Sequence, residues 1–125
     1  MMCFDDFFTQ RKYDINTYNC LHFVVEAQRE LFGRDLSFLL DGLNRREDGM
    51  FNLGGMAKFK GFRRLPSPRD ECLVLLRGAG ADDTHVGTFL DGKVLHISRA
   101  GVQFLPLEVV KLGFTEVLFY EYALA

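Results

Sequence analysis

Cysteine is scarce in this chain of 125 residues, and its three cysteines form neither an even disulfide set nor a paired metal-ligand motif. Long apolar runs are missing as well: no stretch approaches the ~18 residues that a membrane-crossing helix needs. An excess of charge is also absent, since 15 basic and 17 acidic residues leave a net charge of −2. That balance gives no reason to expect nucleic acid as the main partner. The N-terminal MMCFDDFFTQ carries acids where a signal peptide would carry basic and then apolar residues. The chain is therefore expected to be synthesised in the cytoplasm and to need another machine for any export. Internal repeats and low-complexity tracts are lacking too.

What remains is the composition of an ordinary soluble domain, 48% hydrophobic and 26% charged. A single domain over residues 1–125 is expected, large enough for one real core. After Cys20, the residues Phe23, Val24, Ala27 and Leu31 recur at helical spacing, with Glu26, Gln28, Arg29 and Glu30 mostly on the other side. Gly33 is the expected stop. A second helical stretch is expected from Leu36 to Leu43, and the glycine-rich NRREDGMFNLGGMAKFKG is read as loop with at most a short helix. Lys58, Lys60, Arg63, Arg64 and Arg69 make a basic patch, either a solvated face or the rim of an anionic-ligand site. Pro66 and Pro68 mark a surface turn in LPSPRD. Beyond it the period shortens: CLVLL, HVGTFL, KVLHIS, VQFL and TEVLFYEY read as strands. Helices first and strands afterwards predict an α+β domain with an antiparallel sheet. Cys72, inside ECLVLL, is read as a small core residue; Cys3, near a terminus, carries no assignment.

The most informative geometry lies in THVGTFLDGKVLHIS. Asp91-Gly92 is a strong two-residue hairpin turn, because both turn positions need positive φ. Leu90 then pairs with Lys93, which sets His96 opposite Gly87 and His85 opposite Ser98. His85, Gly87 and Phe89 share one face with Val94, His96 and Ser98, and the histidines become diagonal neighbours about 7–8 Å apart at the backbone. Gly87 is expected to leave open space beside His96. Val86, Thr88, Leu90, Leu95 and Ile97 form the opposite, core face. Each histidine alone reads as a satisfied half-buried residue; two on one face beside a glycine point to a site.

Cys20 opens a helix, where free N–H groups and the helix dipole stabilise a thiolate. A thiol with a pKa of ~8.5 is mostly protonated at neutral pH, so a nucleophilic cysteine also needs a base. That base in turn needs a third group to fix its tautomer. Cys20, His85 and His96 offer those three roles. His22 does not suit the base, because two residues along an α-helix is a rotation of about 200°.

The order YNCLHFV, then HVGTFL, then KVLHIS resembles the NlpC-type peptidoglycan endopeptidases, a compact papain-like family. The family pattern is a cysteine opening the first long helix, a His-Val-Gly strand, a short glycine turn and a second histidine on the next strand. PSPRDECLVLL is similar to the family's turn before its central strand, so the likeness runs from about Tyr13 to Ser98. The resemblance implies a papain-like fold, with Cys20 as nucleophile, His85 as general base and His96 as orienting residue. It also implies an oxyanion donor in the backbone N–H of Cys20. Tyr13 matches an upstream tyrosine near the oxyanion site, or is an ordinary packed aromatic. Asn19, Leu21 and His22 depart from the usual acid, serine and glycine; these positions line the cleft and bear on substrate choice.

The implied activity is thiol hydrolysis of an amide bond in peptidoglycan stem peptides, with no cofactor and no metal. A zinc site of Cys20, His85 and His96 would want a fourth ligand, and none is evident. Small stand-alone forms resemble proteins encoded with bacteriophage tail genes, so tail or secretion-machine proteins are expected partners, with delivery to the virion tail or the periplasm. Two alternatives stand beside hydrolysis. One is a structural tail component with little turnover. The other is an acyltransferase or lipid-acting thiol enzyme, since NCLHFV is also similar to lecithin–retinol acyltransferase relatives. In those, however, the histidine strand precedes the cysteine helix, which favours the hydrolase arrangement here.

Overall fold

The computed structural model describes residues 20–38, 62–78, 84–98 and 100–122. Helix α1 spans Cys20–Phe32 and buries Cys20, Leu21, Phe23, Val24, Val25, Ala27 and Gln28 along its length. It stops where expected. Gly33 takes a φ of 69°, its N–H donates to the Arg29 carbonyl at 2.9 Å, and the next N–H, of Arg34, reaches Gln28 at 3.2 Å.

Gln28 corrects the sequence reading, which placed it on the polar side. It follows Cys20 and Val24 at four-residue spacing and therefore lies on the inner stripe, only 1% exposed. Its Nε2 donates to the Glu71 carbonyl at 3.1 Å and to Thr88 Oγ1 at 3.2 Å, tying helix to sheet. The expected helix from Leu36 does not start there: Ser37 and Phe38 form a turn, with the Ser37 N–H donating to Asp35 Oδ1 at 3.0 Å. The remainder of that stretch, and the glycine-rich segment after it, lie outside the described residues.

Among the described residues six strands make one sheet: β1 Phe62–Leu65, β2 Leu73–Arg77, β3 Thr84–Leu90, β4 Lys93–Ser98, β5 Gly101–Pro106 and β6 Glu116–Tyr122. Their order is β1-β6-β2-β3-β4-β5, and every pair is antiparallel. The mixed helix and antiparallel sheet match the expected α+β class. The five anticipated runs correspond to β2 through β6. Strand β1 was not anticipated, because FRRL has arginines where a half-buried strand would alternate. Its place is held from β6: Arg69 and Arg63 both donate to the Glu121 carboxylate, which keeps that carboxyl below the usual range.

Both faces of the sheet are apolar. One presents Leu73, Leu75, Val86, Leu95, Ile97, Leu118 and Tyr120, and α1 lies on it. The other presents Val74, Leu76, Phe89, Val94 and Phe119. A one-turn helix α2, Leu107–Val110, and the 3-10 turn Lys111–Gly113 after it pack on that second side through Leu107 and Val110. Cys72 lies in this second layer at 1% exposure, next to the start of β2, as a core residue should. No helix among the described residues is long and apolar enough to cross a membrane.

Candidate functional site

The β3–β4 hairpin forms as its turn residues dictate. Asp91 and Gly92 have φ of 54° and 76°, and the pairs are Thr88 with Leu95, Phe89 with Val94 and Leu90 with Lys93. In this register Gly87 and His96 come side by side: a Cβ built on Gly87 would sit 3.2 Å from the Cβ of His96. The neighbouring ladders give the same parity. His85 pairs with Leu76 of β2, whose side chain is in the second layer, and His96 pairs with Gln103 of β5. Both histidines therefore occupy one face, around Gly87.

The space beside Gly87 is not open, contrary to expectation. The same Cβ would lie 2.7 Å from Val94 Cγ1 and 2.9 Å from the Leu95 carbonyl oxygen. Glycine is needed here because β3 and β4 approach closely, leaving no cleft at this point. His96 is 6% exposed, and its Nδ1 has no hydrogen-bond partner among the described residues. Burial first, and then the neighbouring His85 imidazole, push its pKa down to about 4. His85 is half-buried and meets Phe114 edge-on, with ring centroids 5.6 Å apart.

Cys20 belongs to the layer of Val86, Leu95 and Ile97 under α1, whereas the histidines extend from the other face of the same strands. The structure brings His85, Gly87 and His96 together on that face. The Cys20 thiol meets the backbone of Val86, the residue next to His85, at the start of β3, beyond the Thr88–Leu95 pair where the β3–β4 ladder ends. Helix-end stabilisation of the thiolate is present but loses. The backbone groups of Val86, Cys20 and Leu21 favour the anion, yet burial outweighs them and drives the thiol pKa up to about 11. His22 on α1 is half-buried, and desolvation lowers its pKa. Tyr13 and Asn19, the weaker cleft residues of the sequence reading, lie outside the described residues, as does Cys3.

Two contributors escaped sequence reasoning. Phe114 sits in a short connection between elements, where no periodicity flags it. Gln28 carried a legible signal, its four-residue step from Val24, but a polar side chain on that stripe was assigned outward. Among the described residues no group of three or more His, Cys, Asp or Glu side chains could hold a metal ion.

Thiol chemistry gives a direct expectation. Treated with iodoacetamide at about pH 7.5, the folded protein should leave Cys20 and Cys72 nearly unlabelled, since both thiols are buried with raised pKa, and unfolding should expose both. Peptide mapping by mass reads the result. Rapid selective labelling of Cys20 in the folded state would contradict the burial described here.

The elements and the site thus define a class: an α+β domain whose antiparallel sheet carries a histidine pair on one face and a helix-opening buried thiol on the other. Neither a family model nor a curated protein matches the chain.

Proposed function

We propose that this chain is a cell-wall-directed protein related in design to the NlpC-type cysteine hydrolases, serving as a structural component of a delivery particle such as a phage tail, without turnover in the arrangement described. The observation that carries this reading is the burial of the Cys20 side chain, 2% exposed at the start of α1. Burial pushes the thiol pKa up to about 11, which makes it a poor nucleophile at neutral pH. A papain-like fold is part of the same proposal. Its support is the order of the YNCLHFV, HVGTFL and KVLHIS segments together with the antiparallel sheet.

A second reading, hydrolysis, is favoured by one specific observation: His85 and His96 share a face around Gly87 in the register that the Asp91-Gly92 turn predicts. In that reading the Cys20 thiolate attacks an amide carbonyl of a peptidoglycan stem peptide. His85 gives the thiol's proton to the leaving amine, His96 holds the imidazole in place, and water releases the acyl group from sulfur. This reading is also supported by the Cys20 thiol meeting the backbone of Val86, next to His85.

One experiment separates the readings. Purified protein is incubated with muropeptides and the products are weighed by mass spectrometry. No new products, from either the native chain or Cys20→Ala, is the result expected here. New amine ends that vanish in Cys20→Ala would overturn the non-hydrolysing reading in favour of hydrolysis. Transfer to an added amine or lipid would instead establish acyl transfer.

A further inference from the structure

A second feature lies at the other side of the sheet and is independent of the thiol and the histidines. Strand β6 pairs with β2 from Glu116 to Tyr120, but with β1 only from Phe119 to Tyr122. β1 ends at Leu65, and Pro66 follows without an N–H to extend the ladder. Among the described residues, then, Glu116, Val117 and Leu118 have a neighbouring strand on one flank only. Alternate residues of a strand direct both backbone groups to the same flank, so this short stretch offers unpaired donors and acceptors. A groove of about 340 Å³ lies at this step, lined by Arg64, Leu65, Pro66, Val117, Leu118 and Phe119.

Charge singles out one of those residues. Arg29, Arg34, Arg63, Arg69 and Arg77 each have a carboxylate partner, in Glu30, Glu71, Glu121, Glu121 and Glu116. Arg64, on the groove, has no such partner among the described residues. The two glutamates nearest on β6, Glu116 and Glu121, are already taken up by Arg77 and by the Arg63–Arg69 clamp. Among the described residues, the site therefore combines a guanidinium without a carboxylate partner, an apolar wall and an unpaired strand edge.

The geometry points to a docking site for the C-terminus of an extended, apolar partner peptide, added beside β6 with its terminal carboxylate on Arg64. A strand running parallel to β6 along Glu116–Leu118 meets the end of β1 with its C-terminus, which puts the carboxylate next to Arg64. Guanidinium and carboxylate match as a two-point fork, and alternate apolar side chains meet Leu65, Val117 and Phe119. A phosphate group would satisfy Arg64 but leave the strand edge unused.

The test uses the full chain and a fluorescent peptide, labelled at its N-terminus, of sequence Val-Ile-Val-Leu with a free carboxylate. Anisotropy should show binding, weakened by about tenfold or more when the C-terminus is amidated, because a charge-assisted pair is lost. Arg64→Ala should bring acid and amide to the same weak affinity, and Arg64→Lys should restore part of the difference. Hydrogen exchange should slow at Glu116–Leu118 on binding. Arg64 is exposed, so the thermal midpoint of Arg64→Ala should match that of the native chain. Equal binding of acid and amide, displacement by millimolar inorganic phosphate alone, absence of binding, or full protection of Glu116–Leu118 before any peptide is added would each overturn the proposal.

Discussion

Gly87→Ala should unfold at lower urea concentration than the native chain, with a loss of about 3 kcal/mol and little change in the slope of the transition. The added methyl would meet Val94 Cγ1 at 2.7 Å and the Leu95 carbonyl oxygen at 2.9 Å. A side-chain contact at that distance is relieved by rotating a valine. A backbone oxygen held in a ladder is relieved only by moving the strand. The cost therefore falls on β3–β4 pairing, and with it on the positions of both histidines. The sequence pattern predicts open space beside Gly87; the close approach of the strands fills it, so a larger residue there costs stability first. Gly113→Ala is the control, since Gly113 has an ordinary φ and its added Cβ would meet nothing within 4 Å. A Gly87→Ala midpoint within about 0.5 kcal/mol of native would refute the close approach.

Acid should destabilise the protein through His96. In the unfolded chain its imidazole titrates at the ordinary value of 6.5, whereas in the fold burial and His85 hold it to about 4. As pH falls below 6.5 the unfolded state binds the proton first, so stability is full above that pH and is lost progressively down to about 4. At about 1.4 kcal/mol per pKa unit, the loss is roughly 3 kcal/mol. His96→Leu, which has no proton to gain, should remove this part of the pH dependence. Glu121 and Asp35, whose carboxyl pKa values are lowered, contribute their own loss below the carboxylate range, equally in both proteins. Parallel stability curves for native and His96→Leu between pH 7 and 4 would show that His96 is not buried as a neutral base.

The hairpin was legible because its determinants are local. Asp91-Gly92 fixes the turn, the turn fixes the register, and the register fixes which side chains share a face. How α1 docks is not local, and it decided the fate of the thiol. CLVLL is apolar at every position, so β2 expresses no preference for which face an amphipathic helix covers. Val86, Leu95 and Ile97 did express one, and α1 lies where they point. Cys20, as the first residue of that helix, goes with them. β1 was hidden for a different reason: Arg63 and Arg64 break the apolar alternation, and what holds the strand is the ion pair of Arg63 with Glu121, 58 residues away in sequence.

The strand order carries a consequence for how the chain is made. β6, the last of the described strands in sequence, lies between β1 and β2, so β1 and β2 do not pair with each other in the finished sheet. As the polypeptide leaves the ribosome, β2, β3, β4 and β5 can pair successively with their nearest neighbours, a zipper of adjacent hairpins. β1 must wait until Glu116–Tyr122 has emerged and slotted in beside β2. Assembly thus has an obligatory late step with a long loop to close, and contacts of that separation slow folding. Until it happens, the Leu73–Arg77 edge is bare on one side, and a chaperone or a second nascent chain has its opportunity there.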